Sequence, residues 1–295
     1  MNRAAVIVIG SNSTRLVSAD LTMNLKNTLR RRMETRLFLH MENGLLSADA
    51  IRDTAQGIQE MSAASDAPVQ GIYATSAVRD AKNADALARA IQELTGHPLT
   101  ILKGEEEAAA SFYGAAGDES AGIIDIGGGS TEIALGQGGR ISNALSLQLG
   151  ASRLFRMSPI HTIKDVLPAI HAASEALNDL PDAVIHHSSR TFYSVGGTGT
   201  AVALLIRQLP HAPGAAEGCI LTRKALYQQL LRVAAVPREQ RAEIPFFPAS
   251  RAEILPTGMA ILVAIMDRLS LASVHVTERC NADGLLRMLV QKKIA

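Results

Sequence analysis

Asp125 and Glu132 bracket the turn Gly127-Gly128-Gly129-Ser130-Thr131, and each sits beside a branched apolar run, Ile123 to Ile126 before the turn and Ile133 to Leu135 after it. Consecutive glycines let the backbone take φ > 0 and press its N–H groups against a phosphate. A carboxylate beside bound phosphate needs a cation between them, and hard oxygen donors of this kind suit Mg²⁺ or another divalent cation. A plain glycine-rich hairpin would account for the glycines and leave both acids unexplained.

Two further turns follow the same plan. Ala4 to Ile9 form an apolar run ending in Gly10-Ser11-Asn12-Ser13-Thr14-Arg15. The hydroxyls and amide of Ser11, Asn12 and Ser13 can donate to phosphate oxygens, and Arg15 adds a fixed positive charge. Alone, such a hairpin is more often just a turn. The third turn, Gly196-Gly197-Thr198, follows the strand-like stretch Thr191 to Val195 and enters the apolar, helix-like segment Ala201 to Leu205. An anion bound there would meet a helix N-terminus.

Together these turns resemble the two phosphate loops and the later Gly-Gly-Thr loop of the actin, hexokinase and sugar-kinase superfamily. More narrowly, the chain resembles the exopolyphosphatase and guanosine pentaphosphate phosphohydrolase family. That likeness covers nearly the whole chain: Gly10 to Ser13, Ala74-Thr75-Ser76-Ala77-Val78-Arg79-Asp80-Ala81 with Asn83, Gly104-Glu105-Glu106-Glu107-Ala108, Asp125 to Glu132, Ser146 to Gly150 with Arg153, Gly196 to Thr198 and Pro256-Thr257-Gly258 fall in the family's order. Sugar kinases share the loops but not the Ala-Thr-Ser-Ala-Val-Arg or Glu-Glu-Ala segments.

The resemblance implies an α/β fold of two ribonuclease-H-like (actin-like) domains facing each other across a phosphate-binding cleft. It also implies a Mg²⁺-dependent phosphohydrolase that releases terminal phosphate from inorganic polyphosphate or guanosine pentaphosphate. Glu107 would activate the water, and Asp125 and Glu132 would hold the metal. Phosphate would be held by Gly10, Ser11, Asn12, Ser13, Arg15, Arg79, Gly127, Gly128, Gly129, Ser130, Thr131, Gly196, Gly197 and Thr198. Arg153 and Arg36 are weaker candidates. Glu105 and Glu106 read equally well as favourable charge at a helix start, and Arg79 could instead pair with Asp80 on the surface. Family members pair, so the resemblance also admits a homodimer.

Composition agrees. A chain of 295 residues with 47% hydrophobic content can bury a large core, and two domains are the default at this size. Lys+Arg 29 against Asp+Glu 28 leaves a net charge of +1, which argues against a dedicated nucleic-acid binder. Cys219 and Cys280 have neither zinc-site nor disulfide-framework spacing and suggest reduced thiols in a cytoplasmic protein. No apolar run is long enough for a signal peptide or a membrane span.

The elements that must position these groups alternate between strands and amphipathic helices. Helices are expected over Ser47 to Ala64 with Ser47 as N-cap, Ala84 to Leu94, Glu105 to Gly114, Ile163 to Leu180, Thr222 to Val236, Pro256 to Leu269 and Ala282 to Lys292. Strands are expected over Val69 to Tyr73, Leu99 to Lys103 and Ser273 to Thr277. Gly10 and Gly127 are about 117 positions apart, which suggests two halves of like topology. The expected domains are 1–119 and 120–295, divided near the turn Gly117 to Ser120. Lys26, Arg30, Arg31 and Arg32 read as a solvated strand face whose field could guide a polyanion, and His186-His187 as an exposed polar turn.

Two departures from the family pattern stand out. The family's first phosphate loop normally has an aspartate two residues before the glycine, where this chain has Val8. Near the C-terminus the family's Ser-Asp-Gly-Gly-Leu-Arg-Glu-Gly becomes Thr277-Glu278-Arg279-Cys280-Asn281-Ala282-Asp283-Gly284, with Glu278 as the retained acid. Both point to an alternative reading, a catalytically weakened or inactive paralogue that senses a phosphorylated ligand. A sugar-kinase-type phosphotransferase is a third.

Overall fold

In the computed structural model, which describes residues 3–22, 25–189 and 191–290, the first apolar run becomes β1, Arg3–Ile9, and the Gly10 turn folds it back onto β2, Ser13–Asp20. β3, Lys26–Glu34, extends this antiparallel meander to the sheet edge. A small hairpin of β4, Met41–Glu42, and β5, Leu45–Leu46, leads into α1, Ala48–Ala63. Ser47 caps α1 by accepting the Ala50 N–H. β6, Val69–Ala74, lies parallel to β1 and β7, Leu99–Ile101, parallel to β6, giving the order β3-β2-β1-β6-β7. Around them run α2, Ser76–Arg79, α3, Ala84–Thr95, and α4, Gly104–Ala115.

Strand alternation divides the duties of this sheet. Ile7, Ile9 and Leu16 face a core shared with Ile58 of α1 and Leu87 and Ile91 of α3. The other face carries Val6, Val8, Arg15 and Val17, and α11, Asn281–Val290, packs on β1 and β2.

The second sheet repeats the plan. β8, Ala121–Ile126, β9, Thr131–Gln137, and β10, Arg140–Leu147, form an antiparallel meander. The chain continues through α5, Ala151–Met157, α6, Val166–Glu175, and α7, Asp182–Ile185. β11, Phe192–Val195, then pairs parallel with β8. After α8, Gly197–Arg207, come β12, Ile220–Thr222, α9, Arg223–Ala234, α10, Leu255–Arg268, and β13, Ser273–Val276, completing the order β10-β9-β8-β11-β13-β12. Ile124, Ile126 and Ile133 enter a core with Leu204 of α8, Leu230 of α9 and Leu262 of α10. In each sheet a three-stranded meander is followed by two strands parallel to its first member, β6 and β7 in one and β11 and β13 in the other, the like topology suggested by the paired glycine turns; β12 is added antiparallel at the edge of the second sheet.

The chain divides into two compact units: unit 1 is Met1–Gly114 with Asn281–Ala295, and unit 2 is Ala115–Cys280. This corrects the expected division into 1–119 and 120–295, because the closing helix belongs to unit 1. Asp283 of α11 receives both Arg30 guanidinium nitrogens, at 2.7 and 2.5 Å. Gly284 lies so close to the Ala110 carbonyl of α4 that a side chain there would collide with backbone. Lys26, Arg30, Arg31 and Arg32 lie exposed along β3, as the solvated strand face expected of them, and Arg30 in addition pairs with the buried Asp283.

Two other expectations change. The helix expected from Ile163 begins as a single 3-10 turn, Ile163–Asp165, and α6 ends at Glu175. Asp165 accepts the His161 and Thr162 N–H groups at 3.0 and 2.7 Å, fixing a separate cap ahead of α6. His187 is half-buried, its ring 4.6 Å from that of Phe192, whereas His186 is exposed. The predicted end of the last helix, Lys292, lies outside the described residues.

Candidate active site

In unit 2 the Gly127 turn closes through a Gly127 N–H to Ser130 carbonyl bond of 2.9 Å. Its carbonyls are turned toward α5: Gly127 O receives the Ala151 N–H, and Gly128 O those of Ser152 and Arg153, at 2.9 to 3.0 Å. Arg153 Nε donates to Gly129 O at 2.7 Å, so this arginine braces the loop. Gly150 is glycine for a steric reason, because a Cβ there would run into the Gly128 backbone. With the carbonyls engaged by α5, the N–H side of the loop is the side suited to an anion.

Asp125 and Glu132 are direct partners across β8 and β9. Opposed residues of an antiparallel pair share a face, so two carboxylates stand side by side, 9% and 1% exposed. Ser146 is next in the same row and donates to Glu132 Oε1 at 2.8 Å. Among the described residues no group of three or more His, Cys, Asp or Glu could hold a metal. Two hard carboxylates nevertheless suit Mg²⁺, which takes one or two of them and completes its shell with water and substrate phosphate oxygens.

The third turn touches this pair. Gly196 has φ +85°, and a Cβ on it would lie 2.8 Å from Asp125 Oδ1, so both conformation and space demand glycine. α8 starts at the next residue, and the Arg251 guanidinium lies against Gly197 where a Cβ would be. Arg251 is 8% exposed. A buried cation beside the positive end of a helix creates a field suited to an anion. Thr198 Oγ1 and Ser194 Oγ are buried without a hydrogen-bond partner among the described residues. Sequence reading missed Arg251, since it lies in no glycine turn and its approach to Gly197 is made only by the fold.

Unit 1 holds the other groups. The Gly10 turn repeats the Gly127 turn, with the Gly10 N–H on Ser13 O at 3.0 Å. Ser11, Asn12 and Ser13 are buried, and neither polar atom of the Asn12 amide has a partner among the described residues. Two positions before Gly10 is Val8, directly opposite Arg15, just as Asp125 is opposite Glu132. Arg15 is in turn opposite Arg32 of β3.

Glu107 lies in the first turn of α4, 6% exposed. Arg79 Nη1 is 3.1 Å from Glu107 Oε2 and donates to the Leu102 carbonyl at 2.9 Å. Arg79 thus pairs with Glu107 within unit 1, where the sequence left open a phosphate clamp or a surface pairing with Asp80. Glu106 accepts the Lys103 N–H at 2.8 Å and serves the helix start, as its position suggested. Glu278, the acid counted as retained, accepts the Gly214 and Ala216 N–H groups at 2.7 and 2.9 Å and fastens that loop within unit 2.

Comparison with known proteins agrees with these motifs. Residues 17–293 match the model of the Ppx/GppA phosphatase family. The Aquifex aeolicus member of that family is 24% identical, with 99% of each chain covered and a TM-score of 0.82. An exopolyphosphatase from Cytophaga hutchinsonii is 20% identical over 98% of each chain, with a TM-score of 0.86. An exopolyphosphatase-like protein is 22% identical over 99% of this chain and 100% of its own, also at 0.86. Likeness at these identities establishes a shared fold, in agreement with the two α/β sheets. With the family match running over nearly its full length, the chain belongs to the Ppx/GppA phosphatase family, hydrolases of phosphoric anhydrides.

Proposed function

We propose that the chain releases the terminal phosphate of inorganic polyphosphate, with guanosine pentaphosphate as the alternative substrate. The observation that carries this reading is Glu107, a carboxylate buried in the first turn of α4 and oriented by Arg79. Water attacks the terminal phosphorus in line and passes a proton to Glu107. The bridging P–O bond breaks, its electron pair stays on the shortened chain, and orthophosphate leaves.

Asp125 and Glu132 would hold Mg²⁺, which supplies positive charge to phosphate oxygens. Backbone N–H groups of Gly127 to Thr131 and of Gly196 to Thr198, the Asn12 amide with its neighbours Gly10, Ser11 and Ser13, and Arg15 would hold the phosphates. The reading carries a cytoplasmic setting with it. Among the described residues no helix is long and apolar enough to cross a membrane.

A second reading is a phosphorylated-ligand sensor without turnover. It is favoured by Val8, 3% exposed where its counterpart in the second sheet is Asp125. Phosphate release measured with malachite green across polyphosphate, guanosine pentaphosphate and ATP, at stoichiometric protein, tests both. Release from polyphosphate supports the hydrolase. Thermal stabilisation by the same compounds without release supports the sensor, and phosphate transfer from ATP to a small acceptor would instead indicate a kinase.

A further inference from the structure

Arg241 is a guanidinium with 0% exposure, set in a 3-10 stretch, Arg238–Glu243, between α9 and α10. Its hydrogen-bond partners among the described residues are backbone carbonyls only. They are Val236 at 3.1 Å, just past α9, His161 at 2.9 Å, between α5 and α6, and Ala252 at 3.4 Å, next to Arg251. A buried cation held without a carboxylate carries a desolvation cost that an apolar side chain would avoid. What it supplies instead is direction, because one planar donor fork fixes three segments of chain against one another.

From Arg241 the backbone runs through a relay of turns. The Ile244 N–H bonds to Arg241 O, Phe247 to Ile244 O, Arg251 to Pro248 O, Ile254 to Arg251 O and Gly258 to Ile254 O, all at 2.8 to 3.2 Å. The segment so delivered, Arg251 to Gly258, touches both glycine turns of unit 2. The Arg251 guanidinium lies against Gly197, and a Cβ on Gly258 would lie 2.6 Å from Thr198 Oγ1. Thr257, 0% exposed, donates to the Ala151 carbonyl at 2.7 Å, and the Ala151 N–H in turn bonds to Gly127 O at 2.9 Å. One short segment therefore sets the spacing of the Gly127 and Gly196 turns, and Arg241 holds its start.

We propose that Arg241 is a positioning residue, the buried anchor that keeps the Arg251 guanidinium at the start of α8. The inference rests on the reading above only in taking a phosphate chain as the ligand of these turns. Arg241 acts through Arg251 and takes no part in bond breaking.

The test is a double-mutant cycle of Arg241→Lys and Arg251→Lys in the full chain. It is read by urea denaturation without ligand, by calorimetric binding of tripolyphosphate with Mg²⁺, and by phosphate release from polyphosphate. Arg241→Lys keeps the charge but not the fork, so one point charge must serve three carbonyls. Arg251→Lys should bind tripolyphosphate about tenfold more weakly, the scale of a lost charge-assisted contact, and Arg241→Lys should also weaken it. The double variant should bind no more weakly than Arg251→Lys alone, because one residue acts through the other. A purely structural Arg241 would lower the urea midpoint and leave the affinity of the folded protein at the wild-type value. Unchanged affinity in Arg241→Lys, or effects on affinity that multiply in the double variant, overturn the anchor. If the lysine variant does not fold, Arg241→Gln, which keeps two N–H donors without the charge, takes its place in the cycle. If the wild type neither binds tripolyphosphate nor releases phosphate, the hydrolase reading falls and the urea midpoints decide: coupled midpoints keep the anchor, additive ones overturn it. If binding and release are present while the two effects multiply, only the anchor falls.

Discussion

Arg79 and Glu107 form an ion pair at 3.1 Å in which the carboxylate is 7% exposed and the guanidinium 20%. The proposed mechanism requires its base to be held within reach of water, and α4 with Arg79 fixes both the backbone and one oxygen of Glu107. Glu107→Gln should lower turnover by about 10²–10⁴-fold with substrate binding nearly unchanged. Arg79→Met should reduce turnover and destabilise unit 1 by roughly 1–3 kcal/mol, since it takes a charge-assisted partner from a buried carboxylate. Steady-state kinetics and urea melts read both. Equal turnover in Glu107→Gln removes this residue from the mechanism.

Asp125 and Glu132 are expected to give the protein its response to Mg²⁺. Wild-type melting temperature should rise with Mg²⁺, and phosphate release should saturate with it. Asp125→Asn and Glu132→Gln should each weaken both responses. Either variant showing the wild-type Mg²⁺ titration in both measurements would show that the metal is held elsewhere.

Much of this was legible in the chain because glycine turns between apolar runs constrain the backbone locally. The Gly10, Gly127 and Gly196 turns, the Ser47 cap and the strands at Val69 and Leu99 all arise from neighbouring residues. What stayed hidden depends on contacts distant in sequence. Asp283 reaches Arg30 across 253 positions, so the closing helix could not be assigned to unit 1 from composition. Arg251 is likewise separated from Gly197, and nothing around it forms a motif. The pairing of Arg15 with Arg32 depends on strand register, which a run of basic residues does not reveal.

Asp283 holds α11 to β3 through two hydrogen bonds while being only 4% exposed itself. Asp283→Asn keeps the shape and removes the charge. It should destabilise the protein by about 1–3 kcal/mol, at the lower part of the range for buried pairs because Arg30 is partly solvated. Urea denaturation at neutral pH measures this. An unchanged midpoint would mean that Leu285, Leu286 and the close approach at Gly284 hold the helix without the ion pair.

Tyr193 donates to Glu119 at 2.6 Å, and burial followed by that hydrogen bond pushes its phenol up to about 12. The folded protein therefore favours the protonated phenol more than the unfolded chain does, with its ordinary value of about 10. The stability this adds is complete below about pH 10 and disappears as pH rises toward about 12. Tyr193→Phe should show a shallower fall in stability through that window than the wild type. Parallel slopes in urea melts at several alkaline pH values would refute the assignment.

Val8→Asp tests whether the first glycine turn can carry a metal as the second is expected to. Val8 is 3% exposed and directly opposite Arg15, so a carboxylate introduced there meets a guanidinium before it meets a metal. The new pair should offset the burial penalty, keeping the melting temperature near that of the wild type. By pairing with Arg15, which the proposed function counts among the phosphate ligands, it should weaken tripolyphosphate binding by about tenfold, the scale of a lost charge-assisted contact. Mg²⁺ should add no stabilisation beyond that seen in the wild type. If Val8→Asp instead gains Mg²⁺-dependent stability and faster phosphate release, the row through Val8 is a metal site missing one carboxylate.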